Sequence, residues 1–475
     1  MKHIFSILLI ILGYVGAEAE VTLDSCRNMA LRNNKLIKMA QENLAGASSL
    51  KDAARAAWFP GIDFTGGYIY NQHIINLLGE DAKLPTMSFD PTTMSYQYNL
   101  VKGPDGKPVM NPETGSPIPS EIAVIPKEAM SYDVHNVFAG AFTLTQPVYM
   151  GGQIRALNKI AGFGEKIAEA SSHNVAQEIV YAVDEAYWQV ISLKEKKLLA
   201  ESFVKLTDSL CNNVKIMLEE GVATKSDLLS VEVRVNEANI ALVKVSNGLV
   251  LSRMALAQIC GLPPETLLTL RDEELNYTDL RQPEEANLGE VYARRQDLEI
   301  VRQSINLLKS REELSLSELL PKIAVVGAYS FSNPNLIDGF KKRFGGGFSV
   351  GAMVQIPIWH WGGDYKKYKA AKSNTAAQRL FLEDLEEKVQ LQVSQAQFSL
   401  DEAEKTYRMA SLNLEKANEN LRQAELGFKE GMLTTSDVLM AQTAWLAANS
   451  EKIDSEIGVR LARTYLSKVL GTLPY

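Results

Sequence analysis

The feature that most constrains this chain is that it repeats itself. A stretch ending in Pro147 and followed by Gly151-Gly152 returns as a stretch ending in Pro357 and followed by Gly362-Gly363, so the two prolines lie 210 positions apart. A second stretch, Glu-Gly-Val-Ala-Thr-Lys-Ser-Asp from position 220, returns at the same spacing as Glu-Gly-Met-Leu-Thr-Thr-Ser-Asp from position 430. Two matches at one spacing indicate a duplicated unit rather than the three unrelated domains that length alone would favour.

Each repeat contains a long run without proline, from Pro147 to Pro263 and from Pro357 to Pro474. Such runs can be helical throughout, and small or apolar residues recur in them at alternating spacings of four and three, as in a coiled coil. In the first repeat these positions run from Ile179 to Leu218, and in the second from Val389 to Phe428. An uninterrupted helix from Gly151 to Glu220 would be about 105 Å long at 1.5 Å per residue, which suits a tube or strut rather than a compact domain.

Four short segments, 62–70, 138–145, 322–331 and 348–356, alternate apolar with small or polar residues. Period two predicts strands with one apolar face, and each segment has about the length of a tilted transmembrane strand. A soluble sandwich would show the same alternation. The aromatic residues at the strand ends favour a membrane barrel, because such barrels carry aromatic girdles at both interfaces; these residues are Tyr68, Tyr70, Tyr149, Trp359 and Trp361.

Four strands cannot close a barrel, because bacterial barrels begin at about eight strands. The chain is therefore expected to pool its strands with copies of itself. Two copies would supply 8 strands and three would supply 12, and the periodicity does not choose between them.

The segment 71–136, between the first two strands, is rich in proline and in turn signals such as Gly-Pro-Asp-Gly and is predicted to be an irregular loop outside the cell. The corresponding loop of the second repeat is short, and its Lys341-Lys342-Arg343 run is interpreted as solvated charge. Residues 263–287, with three prolines and seven acidic residues, are predicted to link a first repeat, 20–262, to a second, 288–475.

Residues 1–19 have the basic start, apolar centre and Ala-x-Ala end of a signal peptide, so the mature chain is expected to begin near Glu20. The apolar centre, of about 13 residues, is short of the roughly 20 that a membrane helix needs, and no later segment is expected to reach that length. Cys26, Cys211 and Cys260 are odd in number and scattered, which implies no disulfide framework, and we interpret them as buried small apolar residues. Acylation of Cys26 is disfavoured because the preceding residues are a poor lipobox.

No sequence pattern points to catalysis or to a cofactor. The five histidines lack the spacing of paired metal ligands, and the glycine clusters lack the rest of a dinucleotide or phosphate-loop fingerprint. The net charge of -8 argues against a nucleic-acid partner, since phosphate binders present a basic face. We therefore expect no enzyme, no metal and no cofactor.

The repeated motifs have a structural interpretation of their own. Thr224 with Asp227, and Thr434 with Asp437, have the spacing of a capping box at the start of a helix. Pro147 and Pro357 are predicted to end strands where no ladder donor is needed. The glycine pairs 151–152 and 362–363 would then let the chain turn from strand into helix.

The order helix, two strands and long helical hairpin, occurring twice, resembles the TolC family of outer-membrane efflux and secretion channels across the mature chain. Residues 23–34 look like the first helix of that family, residues 146–152 and 357–363 like its strand-to-helix turns, and residues 221–229 and 431–439 like its two hairpin tips. The resemblance implies a mainly α fold with a membrane β-barrel: a homotrimer with a 12-stranded barrel in outer-membrane lipid, continuous with an α-helical coiled-coil barrel in the periplasm of a Gram-negative bacterium. It also implies a periplasmic adaptor and an inner-membrane pump as partners, in tripartite efflux or type I secretion.

The resemblance also points to the tips as the adaptor docking site and periplasmic gate, through Gly221, Thr224, Asp227, Gly431, Leu433, Thr434, Asp437 and Met440. Many family members carry an arginine where this chain has Leu433, and a second acidic residue where it has Met440. We therefore expect one acidic ring, of Asp437, and a gate closed mainly by apolar packing around Leu433. The alternative that the pattern leaves open is a periplasmic coiled-coil scaffold protein without a pore.

Overall fold

The computed structural model describes residues 21–266, 268–271 and 287–474. The predicted signal peptide, the predicted mature start at Glu20 and most of the predicted linker lie outside the described residues. The chain divides into two compact units, a helical unit formed by residues up to 54, 155–316 and from 362 onward, and a sheet unit formed by residues 55–154 and 317–361.

The helices within the described ranges follow the predicted order in each repeat. Those of the first are α1 (Leu23–Asn33), α2 (Lys35–Ala56), α3 (Gln153–Glu219) and α4 (Lys225–Ile259), and those of the second are α5 (Leu288–Arg294), α6 (Gln296–Ser317), α7 (Gly363–Lys429) and α8 (Thr435–Val469).

The long helices of the two repeats have equal lengths and keep the spacing of 210 positions. Helices α3 and α7 each have 67 residues, and α4 and α8 each have 35. At 1.5 Å per residue, α3 and α7 are each about 100 Å long. The duplication seen in the sequence is therefore a duplication of structure, residue for residue along these hairpins.

The predicted coiled-coil positions face the interior of the helical unit. On α7 the buried residues include Val389, Val393, Ala396 and Leu400, and every third or fourth residue continues the stripe down to Phe428. This stripe buries apolar surface against α8 because residues spaced by three and four share one helix face. On α3 the first part of the stripe, including Ile179, Val183 and Val190, is buried together with residues of α1. Further along α3, Leu193, Lys197 and Val204 are only partly buried.

The packing of α1 on α3 centres on an ion pair that the sequence analysis missed. Arg27 of α1 donates from Nε and Nη2 to the two carboxylate oxygens of Asp184, at 2.7 and 2.5 Å, and Asp184 has no exposed surface. Bonding to Asp184 is also the main reason that the pKa of Arg27 is raised. A buried carboxylate needs such a two-point partner, because an unpaired buried charge would cost several kcal/mol, on the order of 3 to 5.

Contacts between α3 and α8 join the two repeats within the helical unit. The guanidinium of Arg460 lies 4.3 Å from the ring centre of Trp188, and Lys468 Nζ lies 2.7 Å from Glu178 Oε2. Lys468 also lies 4.4 Å from the ring centre of Tyr181, so one lysine satisfies a carboxylate and an aromatic face.

Helix α4 departs from the expectation that no later segment has the length and composition of a membrane span. Among the described residues it is the one helix that is long enough, apolar enough and poor enough in charge to span a membrane, with a mean hydropathy of 1.4 over 18 residues. Within this single chain several of its large apolar side chains are exposed; they include Ile240, Val243, Val250 and Leu251. Leu249 and Leu256, by contrast, are buried in the cluster around Tyr187.

The sheet unit contains the four predicted strands, here β1 (Gly61–Tyr70), β8 (Asn136–Tyr149), β9 (Lys322–Asn333) and β10 (Gly345–Gln355). They form one antiparallel sheet in the order β1-β8-β9-β10, so β1 and β10 are its edges. The prediction of four strands is confirmed.

The register gives the sheet two chemically different faces. Phe64, Phe142, Tyr329 and Phe348 are directly opposite one another across all four strands and form an aromatic row. The next row on the other side of the pleat is Thr65, Ala141, Ser330 and Gly347, all small. Since opposed residues of an antiparallel pair lie on the same side of the sheet, period two in the sequence becomes an aromatic face and a small-residue face.

The strand-to-helix turns differ from the prediction in two respects. Pro147 lies inside β8, at an irregularity between Pro147 and Tyr149, rather than at the end of the strand. It is tolerated there because β1 pairing stops at Thr145, and proline fits strands at bulges and unpaired edges. Pro357, as predicted, lies just beyond its strand.

The second difference concerns the glycine pairs. Gly151 and Gly152 both have positive φ, +61° and +88°, but in the second repeat the positive-φ residues are Trp361 and Gly362, at +54° and +74°. Gly363 is already the first residue of α7. The spacing of 210 therefore holds through the turn, and Trp361, not Gly362, corresponds to Gly151.

The segment 71–136 is not irregular throughout, so the prediction of an irregular loop is only partly correct. It contains three antiparallel strand pairs: β2 (Ile75–Asn76) with β7 (Ser131–Tyr132), β3 (Ala82–Pro85) with β6 (Ile122–Ile125), and β4 (Met87–Asp90) with β5 (Ser95–Tyr98). The sequence did carry a signal for one of these hairpins. Apolar residues alternate at Met87 and Phe89 before the Asp-Pro turn and at Tyr96 and Tyr98 after it, and these four side chains share one face of the hairpin.

The short loop of the second repeat contains the basic run 341–343. Lys341 and Arg343 form ion pairs with Asp338, and Lys342 Nζ lies 2.7 Å from a carboxylate oxygen of Asp133.

Candidate functional site

The two hairpin tips are built from the same backbone turn. Gly221 and Gly431 both have φ of +74° and lie two residues after the last residues of α3 and α7. The amide of Val222 donates to Met217 O at 2.8 Å, and that of Met432 donates to Gly427 O at 2.7 Å. This six-to-one bond is the Schellman helix end, which requires a left-handed residue and so favours glycine.

A capping box follows the turn at each tip, as predicted. At the second tip Thr434 N donates to Asp437 Oδ2 at 2.8 Å, and Asp437 N donates to Thr434 Oγ1 at 3.3 Å. The first tip repeats this arrangement with Thr224 and Asp227. The threonine hydroxyl and amide that bond each carboxylate hold the pKa of Asp437 and of Asp227 below its usual range.

The tips differ at the two positions that the resemblance singles out. Leu433 corresponds to Ala223, and its side chain lies over Gly427, where an added Cβ would stand 2.9 Å from Leu433 Cδ1. Met440 corresponds to Ser230, and its side chain is 66% exposed. Met440 lies three residues after Asp437 on α8, so the two share a face of that helix.

Beneath the tips all four long helices contribute to one apolar cluster, formed by Leu210, Val214, Leu228, Val231, Phe428 and Val438. A second link joins the hairpins: Arg234 on α4 donates to the hydroxyl of Thr443 on α8 and forms an ion pair with Glu237. The sequence analysis did not identify Arg234, because its partner lies 209 positions away and no local pattern marks it.

The candidate interfacial aromatic residues lie at both ends of the sheet. Tyr68 lies near the end of β1 that leads into segment 71–136, where its hydroxyl donates to Asn136 Oδ1 at 2.7 Å. At the opposite end, Tyr149 is the last residue of β8, and Trp359 and Trp361 follow β10 with their ring centres 6.0 Å apart. Trp359 and Trp361 are 70% and 89% exposed. Two aromatic groups at the two ends of the strands are what a barrel crossing a bilayer requires.

The small-residue face of the sheet borders a cavity of about 510 Å³. Its lining includes Thr65, Ala141 and Ser330 on the strands and Leu336 and Ile337 in the loop after β9. Side chains this small leave room beside the sheet, whereas the opposite face carries the aromatic row.

Comparison with known proteins agrees with this geometry. The model of the family described as "Outer membrane efflux protein" matches residues 125–262 and 287–472. The chain is 22% identical over 332 residues to the outer membrane efflux protein BepC of Brucella suis, an alignment that covers 70% of this chain and 71% of BepC.

Solved structures show the same fold. The chain superimposes on CusC with a TM-score of 0.72 at 13% identity, covering 97% of this chain and 95% of CusC. It superimposes on the open state of the MtrE outer membrane channel of Neisseria gonorrhoeae with a TM-score of 0.71 at 16% identity, covering 95% of this chain and 89% of MtrE. The family match spans most of both repeats, including both tips, and the chain therefore belongs to the outer membrane efflux protein family.

Proposed function

We propose that three copies of this chain form an exit duct through the outer membrane, and that the two hairpin tips of each copy form its periplasmic entrance. The observation that carries the proposal is the four-stranded sheet with one aromatic face and one small-residue face. In lipid every backbone donor and acceptor must be paired, so the open edges β1 and β10 require strands from neighbouring copies. Three copies closing 12 strands follows the pattern of the family.

The chemical difference between the two faces of the sheet indicates which side chains face lipid and which face the channel in such a barrel. The aromatic row faces lipid, where Phe and Tyr are favourable, and the row of Thr65, Ala141, Ser330 and Gly347 faces the channel. Small side chains on the inner face keep the passage wide. The exposed apolar residues of α4, such as Val243 and Val250, are then available to neighbouring copies in the helical barrel.

At the entrance, the tips would receive a periplasmic adaptor and, through it, cargo from an inner-membrane pump. The closed state is stabilised by the apolar cluster beneath the tips and by the bond from Arg234 to Thr443. Asp437 supplies one acidic ring, and Met440 replaces the second. Fewer carboxylates bind a multivalent cation less tightly, so such cations block this channel less than they block one with two acidic rings.

The test is a series of planar-bilayer recordings with trivalent cations added on the tip side. Met440→Asp should strengthen the block, because it adds a carboxylate one turn from Asp437. Asp437→Ala should abolish the block, because it removes the carboxylate. Asp437→Asn should abolish it as well, although the amide oxygen of the new side chain can still accept the hydrogen bond from the Thr434 amide.

The first repeat offers matched controls. Ser230→Asp and Asp227→Asn make the same changes of charge at the corresponding positions of the first tip. If the first-tip variants change the cation block as much as the second-tip variants do, the gate is not specific to the second tip. If Met440→Asp leaves the block unchanged, position 440 does not face the channel and the gate assignment is wrong.

A further inference from the structure

Helix α1 lies directly against the end of α4, the helix that returns from the first tip. Asn34 Nδ2 donates to Ile259 O at 2.8 Å. Gly261, with φ of +74°, approaches so closely that an added Cβ would stand 2.6 Å from the carbonyl carbon of Asn33. Contacts to the backbone on both sides therefore fix the end of α4 beside α1.

Two thiols meet at this joint. Cys26 in α1 and Cys260, which follows the last residue of α4, both have no exposed surface. Cys260 Sγ lies 3.7 Å from Cys26 O, and the two side chains are within hydrogen-bonding reach of each other. Because Cys260 Sγ already reaches the backbone of Cys26, a change in side-chain torsion can bring the two sulfur atoms to the geometry of a disulfide.

The duplication shows that the joint does not need cysteine for packing. In the second repeat Arg295 Nη1 donates to Val469 O at 3.3 Å, and an added Cβ on Gly471 would stand 3.0 Å from Arg294 Cβ. This is the same joint, between the start of the repeat and the end of its returning helix. The positions that correspond to the two cysteines hold Asn287 and Leu470, eight residues before Arg295 and one residue after Val469.

We propose that Cys26 and Cys260 form a disulfide bond in the mature protein. Each thiol loses a proton and together they give up two electrons, which reduce the disulfide of a periplasmic thiol-oxidising protein to its dithiol. The bond forms before the joint closes, because both sulfur atoms are inaccessible in the folded chain. The proposal rests on the outer-membrane location, which places this joint in an oxidising compartment.

The bond would join residues 234 positions apart and so enclose nearly the whole first repeat. Cross-links that close long loops restrict the unfolded chain most, which favours the folded state. The bond also gives Cys26 a role incompatible with acylation, since its sulfur is already bonded. Cys211, beside the cluster beneath the tips, is left as the single free thiol.

The experiment counts thiols in full-length protein isolated from the cell envelope without reductant and unfolded in excess iodoacetamide. The expected mass corresponds to one alkylated cysteine, and peptide mapping should find Cys211 alkylated and the Cys26 peptide joined to the Cys260 peptide. Reduction of the protein before alkylation should give three alkylated cysteines. Three alkylated cysteines in the unreduced sample would overturn the proposal, and if that protein still conducts in bilayers, the channel function stands without the disulfide.

Thermal unfolding in detergent distinguishes a disulfide bond from two reduced cysteines that only fill space in the core. Cys26→Ala, Cys260→Ala and the double variant should lower the melting temperature by the same amount, because either change removes the whole bond, and reduced wild-type protein should show a similar shift. Cys211→Ala serves as the control that leaves the bond intact. A double variant with the sum of the two single shifts, together with no effect of reductant, would show that the cysteines only fill space.

Discussion

Two residues in corresponding places of the repeat adopt the left-handed conformation at different cost. Gly151 has φ of +61° without penalty, whereas Trp361 has φ of +54° and carries a Cβ. A non-glycine residue in this region loses about 1 to 2 kcal/mol. The second turn is therefore strained in a way that the first is not.

Replacing Trp361 should reveal that strain. Trp361→Gly is expected to stabilise the detergent-solubilised protein by about 1 kcal/mol, because it removes the left-handed penalty and the indole is almost fully exposed. Gly151→Ala is the matched change and should destabilise by about 2 kcal/mol or more, since its Cβ would stand 2.8 Å from Leu320 Cβ and 2.9 Å from Ser317 O. Melting curves decide this, and a lower melting temperature for Trp361→Gly would mean that indole contacts outweigh the backbone strain.

The capping boxes predict a pH dependence at the tips. Bonding to Thr434 lowers the pKa of Asp437 in the folded state, so the stabilisation is complete above the pKa of the unfolded chain and is lost as pH falls through the lower folded value. Pepsin cleavage of the second tip should therefore accelerate below about pH 4, where an ordinary aspartate begins to protonate.

Variants of the box separate this effect from general acid unfolding. Thr434→Ala should weaken the start of α8 by about 1 kcal/mol at neutral pH and increase cleavage there. Asp437→Asn should flatten the acid response of the second tip and leave that of the first tip, with Thr224 and Asp227, unchanged. Equal acid cleavage of both tips in this variant would contradict the assignment.

At the scale of elements, the register of the strands makes neighbouring residues of β8 unequal. Phe142 belongs to the aromatic row, and Thr143, the next residue, lies on the small-residue face. In a barrel the first side chain meets lipid and the second meets water in the channel. Adjacent substitutions of the same type therefore test the faces directly.

Phe142→Arg should destabilise the assembled barrel by about 2 to 4 kcal/mol, the cost of a cationic side chain facing the middle of a bilayer. Thr143→Arg places the same charge on the channel side and should leave assembly intact while reducing single-channel conductance. Folding into lipid vesicles, followed by the heat-dependent shift of the barrel on a gel, measures the first effect. Equal loss of assembly in both variants would show that the faces are assigned incorrectly.

At the scale of the whole molecule, the sheet unit carries aromatic groups at both ends of its strands, and the helical unit carries the two hairpin tips. A pore-free periplasmic scaffold, the alternative that the sequence left open, gives no reason for a sheet with an aromatic outer face. Membership of the outer membrane efflux protein family and the fold shared with outer-membrane channels support the duct.

An epitope inserted beside Gly106, in the turn closed by Gly103 and Lys107, should be reached by antibody on intact cells, because segment 71–136 is predicted to lie outside. The matched insertion beside Gly221, at the first tip, should be reached only after the outer membrane is permeabilised. Flow cytometry compares the two. The opposite pattern would reverse the orientation of the barrel.

The amino-acid sequence alone was sufficient for the duplication, the four strands, the long helices with their buried stripe and both capping boxes. The duplication follows from comparing the chain with itself, and the other features depend on local periodicity or on residues a few positions apart, as with Thr434 and Asp437 or the stripe from Val389 to Phe428. The resemblance of the ordered motifs to a known family then indicated the channel function.

Other features depended on residues that are distant in sequence, and only the tertiary structure revealed them. Arg27 meets Asp184 across 157 positions, Arg234 meets Thr443 across 209, and Cys26 meets Cys260 across 234. No periodicity marks such partners, because each pair is set by how whole helices pack. The left-handed Trp361 was missed for a related reason, because the neighbouring strand and helix decided the backbone there, against the local preference of the residue. The hairpins of segment 71–136, by contrast, carried a local signal in the alternation of Met87, Phe89, Tyr96 and Tyr98, which the sequence analysis did not use.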